Sequence, residues 1–270
     1  MLTRIITAVV ALAVFVPILC FGGVWGAGIL FAIICGFSIY EMLMCCGLHK
    51  KWIIVIPSVL FSAFCTLLPV ILHPHTLLII GFILASIPMV LICFLFYGVI
   101  AHKTVDIDKL MLFFSLAIYI TAGFASLSLM RAFYGIWLVV LVLCVSWFTD
   151  TFAYFGGMLF GKKKLCPEIS PKKTVAGAIS GTLFGTIAGI ALSFLFTKTI
   201  TWGLFALPLS IISQFGDLTA SIVKRHFGVK DYGKIFPGHG GILDRFDSII
   251  PTSVVMAVIV VAIETYAWLF

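Results

Sequence analysis

Apolar residues run along this chain in blocks of about 20, the length at which a helix crosses roughly 30 Å of hydrocarbon, and short polar gaps separate them. The blocks fall near residues 5–22, 27–46, 52–72, 77–100, 110–130, 136–157, 174–196, 202–222 and 247–269, which predicts about nine spans. The in-and-out alternation of a membrane β-barrel is not seen. A backbone in lipid must then close its hydrogen bonds within each segment, as a helix does. The expected fold is all-α, a polytopic integral membrane protein. Composition strengthens this: 63% of the 270 residues are hydrophobic and only 10% are charged, more apolar surface than a soluble core of this length can bury.

Charge sets the expected orientation. With a cytoplasmic N-terminus, fifteen of the seventeen Lys and Arg residues fall inside and only Arg131 and Lys198 fall outside, the bias that orients bacterial membrane proteins. The C-terminus is then outside. In a soluble protein a net charge of +7 would suggest nucleic acid; here topology absorbs it, and no nucleic-acid partner is expected. The first block follows Arg4 without a small-residue cleavage site, so it reads as a retained span and not a signal peptide. Most of the eight cysteines lie inside apolar blocks with no CxxC spacing, which makes them packing residues.

Polar chemistry divides the chain into two regions, 1–135 and 136–270. The first is a scaffold whose open roles are lipid access and contact with a second copy in a homodimer. Its one acid within an apolar block, Glu41, reads as an interfacial anchor. The second region places Asp150 inside the block VSWFTDTFAYFGG, where hydrocarbon penalises a lone charge, so Asp150 is a functional candidate. Gly177, Gly181, Gly185 and Gly189 form a small-residue stripe that permits close helix contact. Ser210, Ser213, Gln214, Asp217, Ser221 and Lys224 recur at three- and four-residue spacing, a polar stripe expected to face a hydrated cavity.

Two loops gather most of the remaining charge. In GKKKLCPEISPKKT, Lys172, Lys173 and Thr174 lead into the next helix, where ammonium groups, a hydroxyl and free N–H donors suit a phosphate. The stretch Ser221–Asp247 interleaves three aspartates with basic residues and sets the glycine-rich run Pro237–Gly241 just before Asp244, Arg245 and Asp247. Glycine lets backbone donors approach an anion. Asp244 and Asp247 share one helical face, and with Asp217 they make a three-carboxylate set suited to one Mg²⁺ ion or two.

The order and spacing of Ser221, Lys224-Arg225, Lys230-Asp231, Gly233, Phe236-Pro237, His239-Gly240-Gly241 and Asp244-Arg245-Phe246-Asp247 resemble the signature of the phosphatidate cytidylyltransferase family, also called CDP-diacylglycerol synthase. The block DTFAYFGGMLFGKKKLCPEISPKKT is similar to the region that precedes that signature, so the resemblance covers most of residues 145–250. Ala176 departs from it where an acidic or amide side chain is expected.

The resemblance implies transfer of CMP from CTP to phosphatidic acid, giving CDP-diacylglycerol and pyrophosphate, with Mg²⁺, at the cytoplasmic side of a bacterial inner membrane. Asp217, Asp244 and Asp247 would then hold metal, with Asp231 a further carboxylate. Lys224, Arg225 and Arg245 would bind phosphates, while Ser221, His239, Gly240 and Gly241 shape the anion site. Lys172, Lys173 and Thr174 would receive the triphosphate or the lipid phosphate, and Asp150 would position a lysine or metal. CTP, phosphatidic acid and membrane lipids are the expected partners. Two rival classes remain at this point: a cation-coupled transporter using Asp150 and Asp217, and another enzyme moving phosphate onto a lipid alcohol, such as a polyprenol kinase.

Overall fold

A computed structural model of the chain describes residues 2–101, 105–235 and 240–269. Its helices are α1 (Leu2–Phe21), α2 (Gly23–Cys45), α3 (Trp52–Ile71), α4 (Thr76–Ile100), α5 (Ile107–Phe133), α6 (Ile136–Phe160), α7 (Val175–Thr197), α8 (Ala206–His226), the single turn α9 (Leu243–Phe246) and α10 (Ile249–Leu269). Each predicted block coincides with a long helix, and the protein is all-α and polytopic. Among the described residues, seven helices are long and apolar enough to cross a membrane, α2, α3, α5, α6, α7, α8 and α10. Helices α1 and α4 contribute the shorter apolar stretches Val9–Phe21 and Ala85–Ile100, so a count of nine spans is not reached.

One element lies outside the expectation. Strands β1 (Lys164–Cys166) and β2 (Ser170–Thr174) pair antiparallel, Lys164 opposite Thr174 and Cys166 opposite Ser170. The lysine-rich loop is therefore a small hairpin, which ties Lys172 and Lys173 to a strand that runs straight into α7.

The chain divides into two compact units. The first comprises Met1–Phe133 together with Asp231–Asp244, so the glycine-rich stretch groups with the N-terminal helices. Its core is built where α2 lies against α3 and α5. Phe31, Ile39, Met42 and Leu43 of α2 and Phe113, Phe124 and Leu127 of α5 are all nearly inaccessible to solvent. Cys46, just past the end of α2, joins this core, and burial pushes its thiol up to about 12.

The second unit comprises Tyr134–Lys230 and Arg245–Phe270. Its most extensive packing is between α6 and α7, with α8 and α10 beside them. The glycine stripe explains how. Gly177, Gly181, Gly185 and Gly189 are all buried. A Cβ on Gly181 would stand 2.7 Å from the Thr149 carbonyl oxygen, and one on Gly189 would stand 2.9 Å from Val145 Cγ2 and collide with the Ala206 methyl. Bare backbone on α7 thus lets both neighbours approach within van der Waals distance, the dispersion-driven packing on which helices in lipid rely. The opposite face stays apolar and outward, with Ile179 and Phe215 more than three-fifths exposed.

Gly189→Ala is expected to destabilise the protein by about 1–3 kcal/mol, the usual cost of overpacking a tight core. Gly81→Ala on α4, where an added Cβ meets nothing within 4 Å, is expected to be neutral or slightly stabilising. Thermal unfolding midpoints of the two variants in one detergent compare these effects directly; equal midpoints would remove the glycine contact as the reason for the close approach.

Candidate active site

The second unit carries a charged centre where α6, α8, the start of α10 and the β1–β2 hairpin supply one or two side chains each. Helix α8 is amphipathic in the manner expected, but its polar stripe is spent in two ways. Toward its N-terminal end it binds helices together. The Thr149 and Ser210 hydroxyls share a 2.6 Å hydrogen bond, and Ser210 also donates to the Gly181 carbonyl at 3.3 Å. The Gln214 amide donates to Thr182 Oγ1 at 2.9 Å and to the Ala178 carbonyl at 3.3 Å. This part of the stripe faces α6 and α7 and not a hydrated cavity, a correction that follows from the need to pair every polar group inside an apolar bundle.

The C-terminal half of the stripe turns ionic. Lys173 Nζ lies 2.6 Å from Asp217 Oδ2, and Lys224 Nζ lies 3.7 Å from Asp247 Oδ2. The first pair is about one quarter to one third exposed; the second is only 13% exposed on each side chain. Asp150 on α6 accepts a 2.9 Å hydrogen bond from the Ser248 hydroxyl and feels the charges of Asp217, Lys173 and Arg245. Asp247 Oδ1 also accepts from the Ser248 N–H at 2.9 Å, directly before α10 begins, where a carboxylate satisfies a free donor and favours the helix dipole. Asp150, Lys173, Asp217, Lys224, Arg245 and Asp247 therefore form one network. Ser221 is half-buried on α8, while Arg225 and Lys172 are exposed.

Thr174 has a different task. Its side chain is 5% exposed and accepts from the Gly177 N–H at 3.1 Å as the N-cap of α7. The hydroxyl expected to meet a phosphate is thus turned inward to hold the helix start and, with it, the strand that carries Lys173.

The first unit holds the glycine-rich stretch, with His239 and its neighbours Phe236, Pro237 and Gly238 lying outside the described residues. Asp244 Oδ2 accepts the Tyr232 N–H at 2.8 Å and the Gly241 N–H at 3.0 Å. Gly240 sits at φ +85°, a left-handed conformation that costs glycine nothing, and a Cβ there would be 2.9 Å from Asp244 Oδ2 and 3.3 Å from the Asp231 Cβ. Asp231 itself is exposed.

Glu41 belongs to this turn and not to an interface. It is fully buried, its Oε1 accepting the Ile242 N–H at 2.9 Å and its Oε2 the Leu243 N–H at 2.8 Å. Gly233 and Gly241 close around the carboxylate so tightly that a Cβ on either would overlap it. The interfacial-anchor reading is overturned, because a carboxylate with two charge-assisted bonds from consecutive backbone donors has no need of water. The one signal available was that an acid in an apolar block needs a partner. That partner lies about two hundred positions further along the chain, beyond any periodicity.

The backbone donors at 232, 241, 242 and 243 thus serve the protein's own carboxylates. Among the described residues no three His, Cys, Asp or Glu side chains converge as a ready metal cage. Asp217 and Asp247 instead each hold an ammonium group.

A multi-pass helical bundle with a half-buried network of carboxylates and basic groups defines an integral membrane protein with a charged centre. The chain belongs to the cytidylyltransferase family, whose model matches residues 2–263. It is similar to a Staphylococcus haemolyticus protein named phosphatidate cytidylyltransferase, 36% identical over 92% of this chain and 94% of that one. A Staphylococcus saprophyticus protein of the same name is also 36% identical over 92% of this chain and 94% of its own length. A Rickettsia conorii protein, again so named, is 42% identical over 44% of this chain and 56% of its own.

Glu41→Ala leaves the Ile242 and Leu243 N–H groups without their acceptor, each costing about 1–3 kcal/mol when buried. The expected outcome is faster amide hydrogen exchange in the peptide spanning Asp231–Asp244, with exchange in α7 and α10 unchanged. Glu41→Gln, which keeps one acceptor oxygen, should lie between. Unaltered exchange in that peptide would show that Glu41 does not hold the turn.

Proposed function

We propose that this chain is a phosphatidate cytidylyltransferase: it moves CMP from CTP to phosphatidic acid, giving CDP-diacylglycerol and pyrophosphate. The observation that carries this reading is the network of Asp150, Lys173, Asp217, Lys224, Arg245 and Asp247, set in a membrane chain whose relatives bear that enzyme's name. A lipid phosphate oxygen attacks the α-phosphorus of CTP; a bond from that oxygen to phosphorus forms, the bond to the β-phosphate bridging oxygen breaks, and pyrophosphate leaves. A phosphate monoester is already ionised near neutral pH, so no general base is required. The work left to the protein is to hold two polyanions against their repulsion and in line.

Lys224 and Arg245, with Arg225 nearby in sequence, are the cations proposed for phosphate. Lys173 and Lys172 approach from the hairpin. Asp217 and Asp247, ion-paired to Lys173 and Lys224, are the carboxylates proposed to take a divalent cation once those ammonium groups turn to phosphate. Asp244, three positions before Asp247 in the sequence, is the third proposed ligand. Bound there, Mg²⁺ would supply charge neutralisation for the departing pyrophosphate. Asp150 positions the ion-paired groups through Ser248 and its neighbouring charges. Asp231, Ser221, His239 and the Gly240-Gly241 backbone are assigned to shaping the anion site. Thr174 acts through the α7 cap.

In this reading the protein sits in a bacterial inner membrane with its N-terminus and active site cytoplasmic and its C-terminus outside, as the fifteen-to-two placement of Lys and Arg supports. The N-terminal region is then free for contact with a second copy in a homodimer.

Detergent-purified protein is expected to release pyrophosphate from CTP only with both phosphatidate and Mg²⁺ present, to lose that release with a chelator and to regain it with Mg²⁺. Asp217→Asn should reduce the rate by about a hundredfold or more, the scale on which electrostatic groups act at such centres. A folded wild-type protein that releases no pyrophosphate under these conditions would sink the assignment.

A further inference from the structure

An apolar groove runs along the outward face of the second unit between α7 and α8. Its volume is about 510 Å³. Ile179 and Leu183 of α7 form one wall, Leu207, Ile211 and Phe215 of α8 the other. All five are among the exposed large apolar residues of the protein. One polar rung crosses it, the Gln214–Thr182 hydrogen bond, and that bond leaves the groove no unmet polar demand at mid-length.

Length and charge say what would lie there. The α8 lining extends from Leu207 to Leu218, eleven helical steps or roughly 16 Å. That is about half the ~30 Å hydrocarbon thickness of a bilayer, the depth of one leaflet. The two ends differ. At one, the lining reaches Leu165 on the hairpin, flanked by the exposed Lys164, and Leu218, next to Asp217 and its partner Lys173. Lys162, Lys163 and Lys172 project from the same hairpin. At the other end the lining is Thr186 and Leu207, with no charged side chain.

We propose that this groove seats an acyl chain of the phosphatidate substrate, with the lipid phosphate at the hairpin lysines and the tail directed along α7 and α8. This rests on the reading that phosphatidate is the substrate, and it adds where the lipid half lies. A headgroup phosphate meets ammonium groups at one end of a leaflet-deep apolar channel, and the ion pair at Asp217 stands within a residue of that junction. A neutral lipid has the tail but not the anchor, and a choline lipid offers a phosphodiester of lower charge whose own quaternary ammonium repels the lysines. The groove thereby selects by headgroup charge while bringing the reacting phosphate to the charged network.

The full-length protein in detergent micelles is exposed to phosphatidate bearing a diazirine in one acyl chain, in parallel with a choline lipid carrying the same chain, and labelled peptides are mapped by mass spectrometry. Label from the phosphatidate should concentrate on α7 and α8 within Ala178–Leu218, compete with unlabelled phosphatidate, and fall about tenfold in Ala178→Phe, in line with the sensitivity of apolar pockets to added bulk. Label from the choline lipid should spread over all outward helices. Equal labelling by both lipids, labelling elsewhere, or links between two copies across this face would each overturn the proposal.

A second measurement follows activity. Thr186→Phe, at the far end, should raise KM for a long-chain phosphatidate about tenfold while leaving KM for CTP and turnover of a short-chain phosphatidate unchanged; a uniform loss over both chain lengths would count against the groove. Absence of pyrophosphate release with headgroup-dependent labelling intact would defeat the transfer reading alone and leave the lipid site standing.

Discussion

A charge inside an apolar bundle must be matched where it stands, because the surrounding hydrocarbon offers no water to solvate it. The second unit meets this demand through Lys173 with Asp217, Lys224 with Asp247, and Asp150 with Ser248. These side chains come from α6, α8, the hairpin and the entrance to α10, so they can pair only if those elements approach closely. The bare backbone of the α7 glycines provides that approach on the α6 and α8 sides. Close packing and charge pairing are therefore one requirement: widening the α6–α7 contact would separate Thr149 from Ser210 and loosen the frame that carries Asp150 and Asp217.

The first unit solves the same problem with backbone donors. Two carboxylates, Glu41 and Asp244, take the N–H group of Tyr232 and the three consecutive N–H groups of Gly241, Ile242 and Leu243. Glycine at 233, 240 and 241 is a steric condition of this arrangement as much as a conformational one, since the carboxylates occupy the space a Cβ would need. The backbone N–H groups of residues 232, 241, 242 and 243 already answer to the protein's own carboxylates. The chain leaves this turn at Asp244 and enters the second unit at Arg245.

Much of this was legible in the sequence, and the exceptions have physical reasons. Apolar blocks of membrane-spanning length read directly as helices, since lipid leaves a backbone little alternative. The four-residue glycine spacing on α7 is a local pattern with one packing meaning, and Asp217, Lys224 and Asp247 stood out as charges in an apolar context. Glu41 did not, because its partners are backbone groups far along the chain and backbone donors carry no sequence signal. Thr174 was legible as a helix-start residue; that its oxygen would be used up in that role depends on the Gly177 N–H lying 3.1 Å away. The hairpin was hidden by its lysines, whose orienting role in a membrane protein masks the strand pairing beneath.

Formal charge in the network of the second unit adds a last constraint. Three carboxylates, Asp150, Asp217 and Asp247, stand against three cations, Lys173, Lys224 and Arg245, so the set is neutral as it stands. Neutrality suits a resting state at low dielectric. It is a poor complement to two polyanions. Under the proposed reaction a nucleoside triphosphate and a lipid phosphate arrive together, and every basic group that turns to them uncovers an aspartate. Asp217 and Asp247 would then be the carboxylates left to hold a divalent cation, which would supply the missing positive charge. The exposed lysines of the hairpin supply the remaining positive charge without disturbing the paired core. In this view the ion pairs hold the carboxylates and the ammonium groups in reach of one another, and substrate binding is a change of partners within a set already in place.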